Sequence, residues 1–351
     1  MSSLAMQMVE TPVGAVPRVA TRLSLGDRLG TIRVRLNLFR MDYRVESGLH
    51  AVGAPNPDSP VLVSANFKLS FDALRRELAG IDAWILVLDT RGVNVWCAAG
   101  KGTFGTVELA KRVLESRLAE VVEHRTLVVP QLGAPGVSAH EVKTFTGFRV
   151  VYGPVRAADI REFLVAGMKA TPEMRRVRFT LRDRVVLTGV ETSIAFQPKV
   201  LAAAVGFLAL TGLGLDPLFS LDRVLGRGVP VLAAALLAVL AGLVLTPVLL
   251  PWVPGRMFSQ KGAIVGALTA LAAIAAVSLA GVHVSWLAAV AGVAGITAGA
   301  SFGAMNFTGS STYTSFSGVN AEMRRWLPVQ VGLAATSVVA LLASAAVAVI
   351  A

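Results

Sequence analysis

The run Gly92-Val93-Asn94-Val95-Trp96-Cys97-Ala98-Ala99-Gly100-Lys101-Gly102-Thr103-Phe104-Gly105-Thr106 sets a strand-like apolar stretch, residues 93–96, before a glycine-rich turn and the start of an amphipathic helix. That order is the repeating unit of an α/β fold. Working outward, residues 61–65, 84–89, 126–129 and 148–152 are further short apolar runs that read as strands. Residues 70–78, 106–122 and 156–165 read as helices between them. In the second helix, Leu109, Val113, Leu118, Val121 and Val122 share one side and Glu108, Lys111, Arg112 and Glu115 another. The alternation predicts a Rossmann-like α/β domain with a largely parallel sheet. Such sheets bind ligands beyond the carboxyl ends of their strands, which is where Cys97 is expected.

Cys97 is the only cysteine in the 351 residues. One thiol makes no intrachain disulfide and builds no zinc or iron–sulfur site, which needs several ligands. Three uses stay open: buried filler, nucleophile, or one soft ligand to a metal that a cofactor already holds. A nucleophile wants a base, and His50, His124, His140 and His283 are all distant in sequence. Residues 100–105 satisfy Gly-x-Gly-x-x-Gly, but the next strand ends in Pro130-Gln131 where a dinucleotide site wants an acid. A phosphate loop fails too, because Gly102 follows Lys101 and Val95 replaces the leading glycine. What survives is geometry: glycines admit a large planar ligand close to the backbone, and amides at a helix start favour anionic groups.

Composition divides the chain. Residues 1–198 hold 26 of the 33 Lys and Arg and 19 of the 22 Asp and Glu; residues 199–351 hold the rest. With 54% hydrophobic residues and a mean hydropathy of +0.65, the excess of apolar character falls in the second part. Five apolar stretches, about 200–215, 229–250, 262–281, 284–307 and 329–351, approach the roughly 20 residues that cross a bilayer, the first being marginal. None has a charged residue in its interior, which argues against an ion-coupled transporter. Lys199, Arg256, Lys261, Arg324 and Arg325 fall on one side of five crossings, and Arg223 and Arg227 on the other. The positive-inside rule puts the first set in the cytoplasm with the amino-terminal domain. Residues 1–30 show no secretory signal, in keeping with that side. Gly295, Gly299 and Gly303 recur every fourth residue and predict close helix packing. Residues 306–330, rich in Ser, Thr and Gly, read as a long cytoplasmic loop that docks the first domain or a partner. The net charge of +11 is scattered. Only Arg33, Arg35, Arg40 and Arg44, and Arg175, Arg176 and Arg178, cluster. No aromatic set accompanies them, so the pattern points to anionic lipid rather than nucleic acid.

The string Asn94-Val95-Trp96-Cys97-Ala98-Ala99-Gly100-Lys101 closely resembles the signature of the membrane-bound corrinoid protein of microbial mercury methylation. Ser64-Ala65-Asn66-Phe67-Lys68-Leu69-Ser70-Phe71-Asp72, Trp84-Ile85-Leu86-Val87-Leu88-Asp89-Thr90, Pro130-Gln131-Leu132-Gly133-Ala134 and Tyr152-Gly153-Pro154-Val155-Arg156-Ala157 resemble that family too, as do the five spans and the long loop. The Asp-x-His-x-x-Gly motif of other cobalamin proteins is absent, as in that family, whose corrinoid domain is similar to the corrinoid iron–sulfur protein of acetyl-CoA synthesis.

The resemblance implies a corrinoid-dependent methyltransferase of the cytoplasmic (inner) membrane that passes a methyl group from cobalt to Hg(II), giving methylmercury. It makes Cys97 the catalytic residue and lower axial cobalt ligand. Cofactor contacts are expected from Asn66, Thr90, Asn94, Val95, Trp96, Ala98, Ala99, Gly100, Lys101, Gly102, Thr103 and Gln131. No iron–sulfur cluster is expected in this chain. The implied partners are a ferredoxin-like protein with two 4Fe–4S clusters, a methyl-donor protein or methyl-folate pathway, and membrane lipid. Two other functions fit the residues: a membrane-anchored corrinoid methyl carrier with a different acceptor, and a membrane transporter or receptor with a cytoplasmic α/β regulatory domain.

Overall fold

The computed structural model describes residues 7–214, 217–310 and 316–350. The chain divides into two units, Met1–Arg178 and Phe179–Ala351. The packing break thus falls before the composition change at 198.

The first unit is built on a seven-stranded sheet of order β1-β2-β3-β5-β4-β6-β7. Its strands are β1 (Gln7–Thr11), β2 (Gly14–Arg18), β3 (Gly48–Val52), β4 (Val61–Ala65), β5 (Ala83–Leu88), β6 (Thr126–Val129) and β7 (Arg149–Tyr152). The block β5-β4-β6-β7 is parallel, whereas β3 runs antiparallel to β5 and β1–β2 is an antiparallel hairpin. The sheet is therefore mixed. Every residue of β4 and β5 is buried, as their unbroken apolar runs require of strands covered on both faces. Alternate residues feed two cores. Val61, Val63, Trp84 and Leu86 pack with Leu109, Val113, Leu118 and Phe148. Leu62, Ile85 and Val87 pack with Phe71, Leu78, Ile160 and Phe163.

The helices are α1 (Leu25–Arg35), α2 (Lys68–Glu77), α3 (Val95–Lys101), α4 (Thr106–Glu115), α5 (Leu118–Val121), α6 (Ala139–Thr146) and α7 (Ile160–Val165). Three departures from the sequence reading concern them. Residues 93–96 are not a strand: Asn94 caps α3, and its Oδ1 accepts from the Cys97 N–H at 2.9 Å. The expected helix 106–122 breaks where Arg117 adopts a left-handed φ of 46°. The stretch 156–165 opens with a 3-10 turn, Ala157–Asp159, before α7. The strands β1–β3 were not expected at all.

Four charged side chains tie α1 to α2. Lys68 Nζ meets Asp27 Oδ1 and Asp72 Oδ2, both at 2.6 Å. Arg75 Nη2 meets Asp27 Oδ2 at 2.9 Å, and its Nε meets Asp72 Oδ1 at 2.7 Å. All four side chains are buried.

The second unit is helical. Among the described residues, four helical stretches are long and apolar enough to cross a membrane: Leu221–Leu249, Phe258–Leu279, Trp286–Phe307 and Gly318–Val347. The first expected span, 200–215, falls largely on the helix Pro198–Thr211, which is joined to Leu181–Ser193 through a 59° bend. At about 1.5 Å per residue, its 14 residues fall short of a hydrocarbon core of about 30 Å. The stretch expected as a loop, 306–330, is helical at both ends, in Trp286–Ser310 and Phe316–Ile350, and 311–315 lie outside the described residues. Glu322, Arg324 and Arg325 thereby stand at the start of the last helix. Glu322 is buried there, with Oε1 accepting from the Ser259 hydroxyl at 2.7 Å and the Ser259 N–H at 2.5 Å.

Gly295, Gly299 and Gly303 do face neighbouring helices, at Ser337, Ala238 and Leu243. A tighter approach is made from the other side. A Cβ on Gly242 would stand 2.6 Å from the Ala300 carbonyl oxygen and 2.8 Å from its Cα. Small residues let membrane helices come this close, where dispersion and not hydrophobicity holds them.

Candidate functional site

The carboxyl ends of the parallel strands β4, β5 and β6 release Asn66, residues 89–94 and residues 130–136 on one edge of the sheet. Asn66 is buried and fully engaged. Its Nδ2 donates to Asp89 Oδ1 at 2.9 Å; its Oδ1 accepts from the N–H groups of Thr90 (3.2 Å) and Gly92 (2.9 Å). The Thr90 hydroxyl lies 2.9 Å from the same oxygen and 2.7 Å from the Val93 carbonyl. Asn66 and Thr90, both expected at a cofactor, thus brace the loop that leads into α3. The Asp89 N–H donates to Glu108 on α4 at 2.8 Å, and Arg112 holds that carboxylate at 2.8 Å.

Gly92 takes φ 75° and is buried against residues 41–44. A Cβ there would stand 2.8 Å from the Met41 carbonyl, so both the conformation and the space call for glycine. The adjoining segment follows the same edge: the Val45 N–H donates to the Asn66 carbonyl at 2.9 Å, and the Lys68 N–H to that of Tyr43 at 3.0 Å. Sequence reasoning missed this contribution, since Met41 and Arg44 lie some fifty residues from Gly92 in the chain.

Cys97 is the third residue of α3 and half-buried. Among the described residues none hydrogen-bonds its sulfur. Val95 and Trp96 are half-buried beside it, whereas Ala98 and Ala99 face the core with Phe104 and Val137. Gly100, Lys101 and Gly102 are exposed and Thr103 half-buried. Gln131 opens a 3-10 turn, Gln131–Gly133, that packs on α3. Its Oε1 is buried and has no hydrogen-bond partner among the described residues. Two of the four histidines are engaged elsewhere: His50 Nδ1 faces the Gly48 carbonyl at 3.3 Å, and His124 Nε2 the Ser59 carbonyl at 2.9 Å. Neither serves the thiol as a base.

Residues 28–164 match the family described as CO dehydrogenase/acetyl-CoA synthase delta subunit. The chain is 35% identical over 139 residues to the acetyl-CoA decarbonylase/synthase complex subunit gamma of Archaeoglobus fulgidus, covering 38% of this chain and 29% of that protein. It is 38% identical over 128 residues to the subunit of the same name from Methanopyrus kandleri, covering 36% and 27%. With the corrinoid/iron-sulfur protein large subunit of Moorella thermoacetica it shares 31% identity over 139 residues, covering 38% and 31%. The chain thus spans about three-tenths of the length of these curated relatives, and the family match, residues 28–164, lies within the α/β unit.

Proposed function

We propose that this chain is a membrane-anchored corrinoid protein that transfers a methyl group to Hg(II), with Cys97 as the lower axial ligand of cobalt. The observation that supports it most is the place of Cys97: the one thiol sits half-buried in α3, off the end of β5, inside residues 28–164, the segment that matches the CO dehydrogenase/acetyl-CoA synthase delta subunit family. The donor set fits the group. Among the described residues no three His, Cys, Asp or Glu gather around a metal. A single thiol therefore suits a metal whose remaining ligands come from a macrocycle. Gln131 Oε1, buried and unpartnered among the described residues, and the exposed backbone of residues 100–102 would meet amide side chains of the corrin.

A corrinoid, when bound, supplies a cobalt centre able to carry a methyl group. The protein's own part is to hold the thiolate. Asn94 fixes the backbone of Cys97, and Asn66 with Thr90 fixes the loop before it. Such outer supports set a ligand's orientation and donor strength. With a corrinoid in place, the Cys97 thiolate would be an electron-rich ligand to its cobalt, chemistry suited to methyl transfer to a soft electrophile. Reduction between turnovers falls to a ferredoxin-like partner, and a methyl-donor protein or methyl-folate supplies the methyl group.

In this reading the α/β unit is cytoplasmic and the bent pair Leu181–Ser193 and Pro198–Thr211 counts as a fifth crossing. Only then do Arg256, Lys261, Arg324 and Arg325 share the side of the α/β unit, as the positive-inside rule asks. A second acceptor is favoured by one observation: the relatives are named as subunits of acetyl-CoA decarbonylase/synthase complexes. Purified full-length protein, assayed for cobalt and corrinoid and then given Hg(II), tests both readings. Stoichiometric corrinoid with methylmercury formed supports the proposal; corrinoid without methylmercury leaves the carrier reading; no corrinoid overturns both.

A further inference from the structure

We infer that α1 lies in the membrane–water interface, its outer face seated on anionic lipid. The outer face carries Leu25, Leu29, Ile32 and Leu36, exposed by 78, 61, 56 and 49%. At about 100° per residue these four span about 60° of the helix surface. Arginines flank the stripe on both sides, Arg33 along one edge and Arg28 and Arg35 along the other, and all three are exposed, as is Arg22 just before the helix. The opposite side is pinned to the domain: Val34 is buried, Asp27 joins Lys68 and Arg75, and Gly30 sits against the Tyr43 ring. The acid of this helix is thus withdrawn from its outer face, which presents only leucine, isoleucine and arginine. Just beyond, Phe39 is exposed by 67% with φ 54°, and the Arg33 guanidinium lies 5.1 Å from its ring centre.

A narrow apolar stripe edged by long cationic side chains is the pattern of a helix lying in the plane of a bilayer surface. The apolar side chains enter the acyl boundary while the arginines reach back to the phosphates. Among the described residues four helices are long and apolar enough to cross a membrane; with the chain so anchored, the surface is always at hand and weak individual affinity suffices.

The inference rests on the membrane anchorage proposed above and on no cofactor. It is tested with the full chain on a Cys97→Ala background. A nitroxide is placed at Leu29→Cys, with Lys111→Cys on α4 as the exposed reference, in vesicles of phosphatidylcholine with or without phosphatidylglycerol. Collision with oxygen and with an aqueous nickel complex reads the surroundings of each label. In anionic vesicles the oxygen-to-nickel ratio at position 29 should rise several-fold over that at position 111. Arg28→Glu with Arg33→Glu should abolish the rise. A label at 29 that stays aqueous, one shielded from both probes as in a protein contact, or one equally immersed without anionic lipid would each overturn the inference. Failure of the chain to enter vesicles at all would instead break the anchorage reading.

Discussion

In the α/β unit the pivotal contact is made by four charged side chains, Asp27, Lys68, Asp72 and Arg75, buried on one another. In the helical unit it is made by the lack of a side chain, at Gly242 against Ala300. The first is vulnerable to removal of a group, because the partners left behind are buried and charged. The second is vulnerable to addition of one, because backbone lies on the far side. Cys97 belongs to neither kind of contact: it holds nothing that the described residues need.

That contrast can be broken most sharply at the thiol. Cys97→Ala is expected to abolish methyl transfer and change the cobalt spectrum, with unfolding free energy within about 1 kcal/mol of the parent. An unchanged spectrum would return Cys97 to a filler role. Next in size, Lys68→Met should cost about 3–5 kcal/mol in denaturant unfolding, as breaking one side of a buried ion pair does. The same cluster gives an acid limit. Burial alone would raise the Asp27 carboxyl, but Lys68 and the Ser24 donors outweigh it and hold it well below the usual range. A folded value below the unfolded one contributes stability above about pH 4 that is lost as pH falls further. Lys68→Met should flatten that loss.

Smaller effects sharpen the other side. Gly242→Ala should destabilise the helical unit by about 1–3 kcal/mol, as overpacking does. Gly226→Ala, whose Cβ would meet nothing within 4 Å, should be neutral in the same detergent unfolding assay. Smallest is a histidine term. Burial lowers the His50 value from the ordinary 6.5, so its contribution is present above about pH 6.5 and fades below it. His50→Leu should remove that slope from stability measured between pH 6.5 and 5.

The elements read correctly from sequence are those whose pattern has one physical meaning. Residues 61–65 and 126–129 are short, apolar and β-branched, and they are strands to the residue. Residues 93–96 carry Val, Val and Trp, which favour strands. There Asn94 competes as a helix cap and wins. β1 is an exposed, polar edge strand with little to mark it. Around Cys97, the place of Asn94 in the same turn and of Gln131 at a strand end could be read from local sequence. That Asn66 and Thr90 spend themselves on each other was not, for their partners come from separate strand ends. The Ser, Thr and Gly of 306–330 suggest a linker, yet apolar neighbours carry helix through most of the stretch.

The strand order has a consequence for how the protein is made. β3 takes β5 as its neighbour, not β4, which follows it in the chain. The amino-terminal strands therefore cannot join the sheet until residue 88 has been synthesised. The last strand ends at Tyr152, and the first helix of the second unit begins only at Leu181. At about 5–20 residues per second, elongation across that interval takes roughly 1.5–6 s, ample for a mixed α/β domain that closes in roughly milliseconds to a second. The sheet can thus be complete on the ribosome before the helical unit begins to emerge.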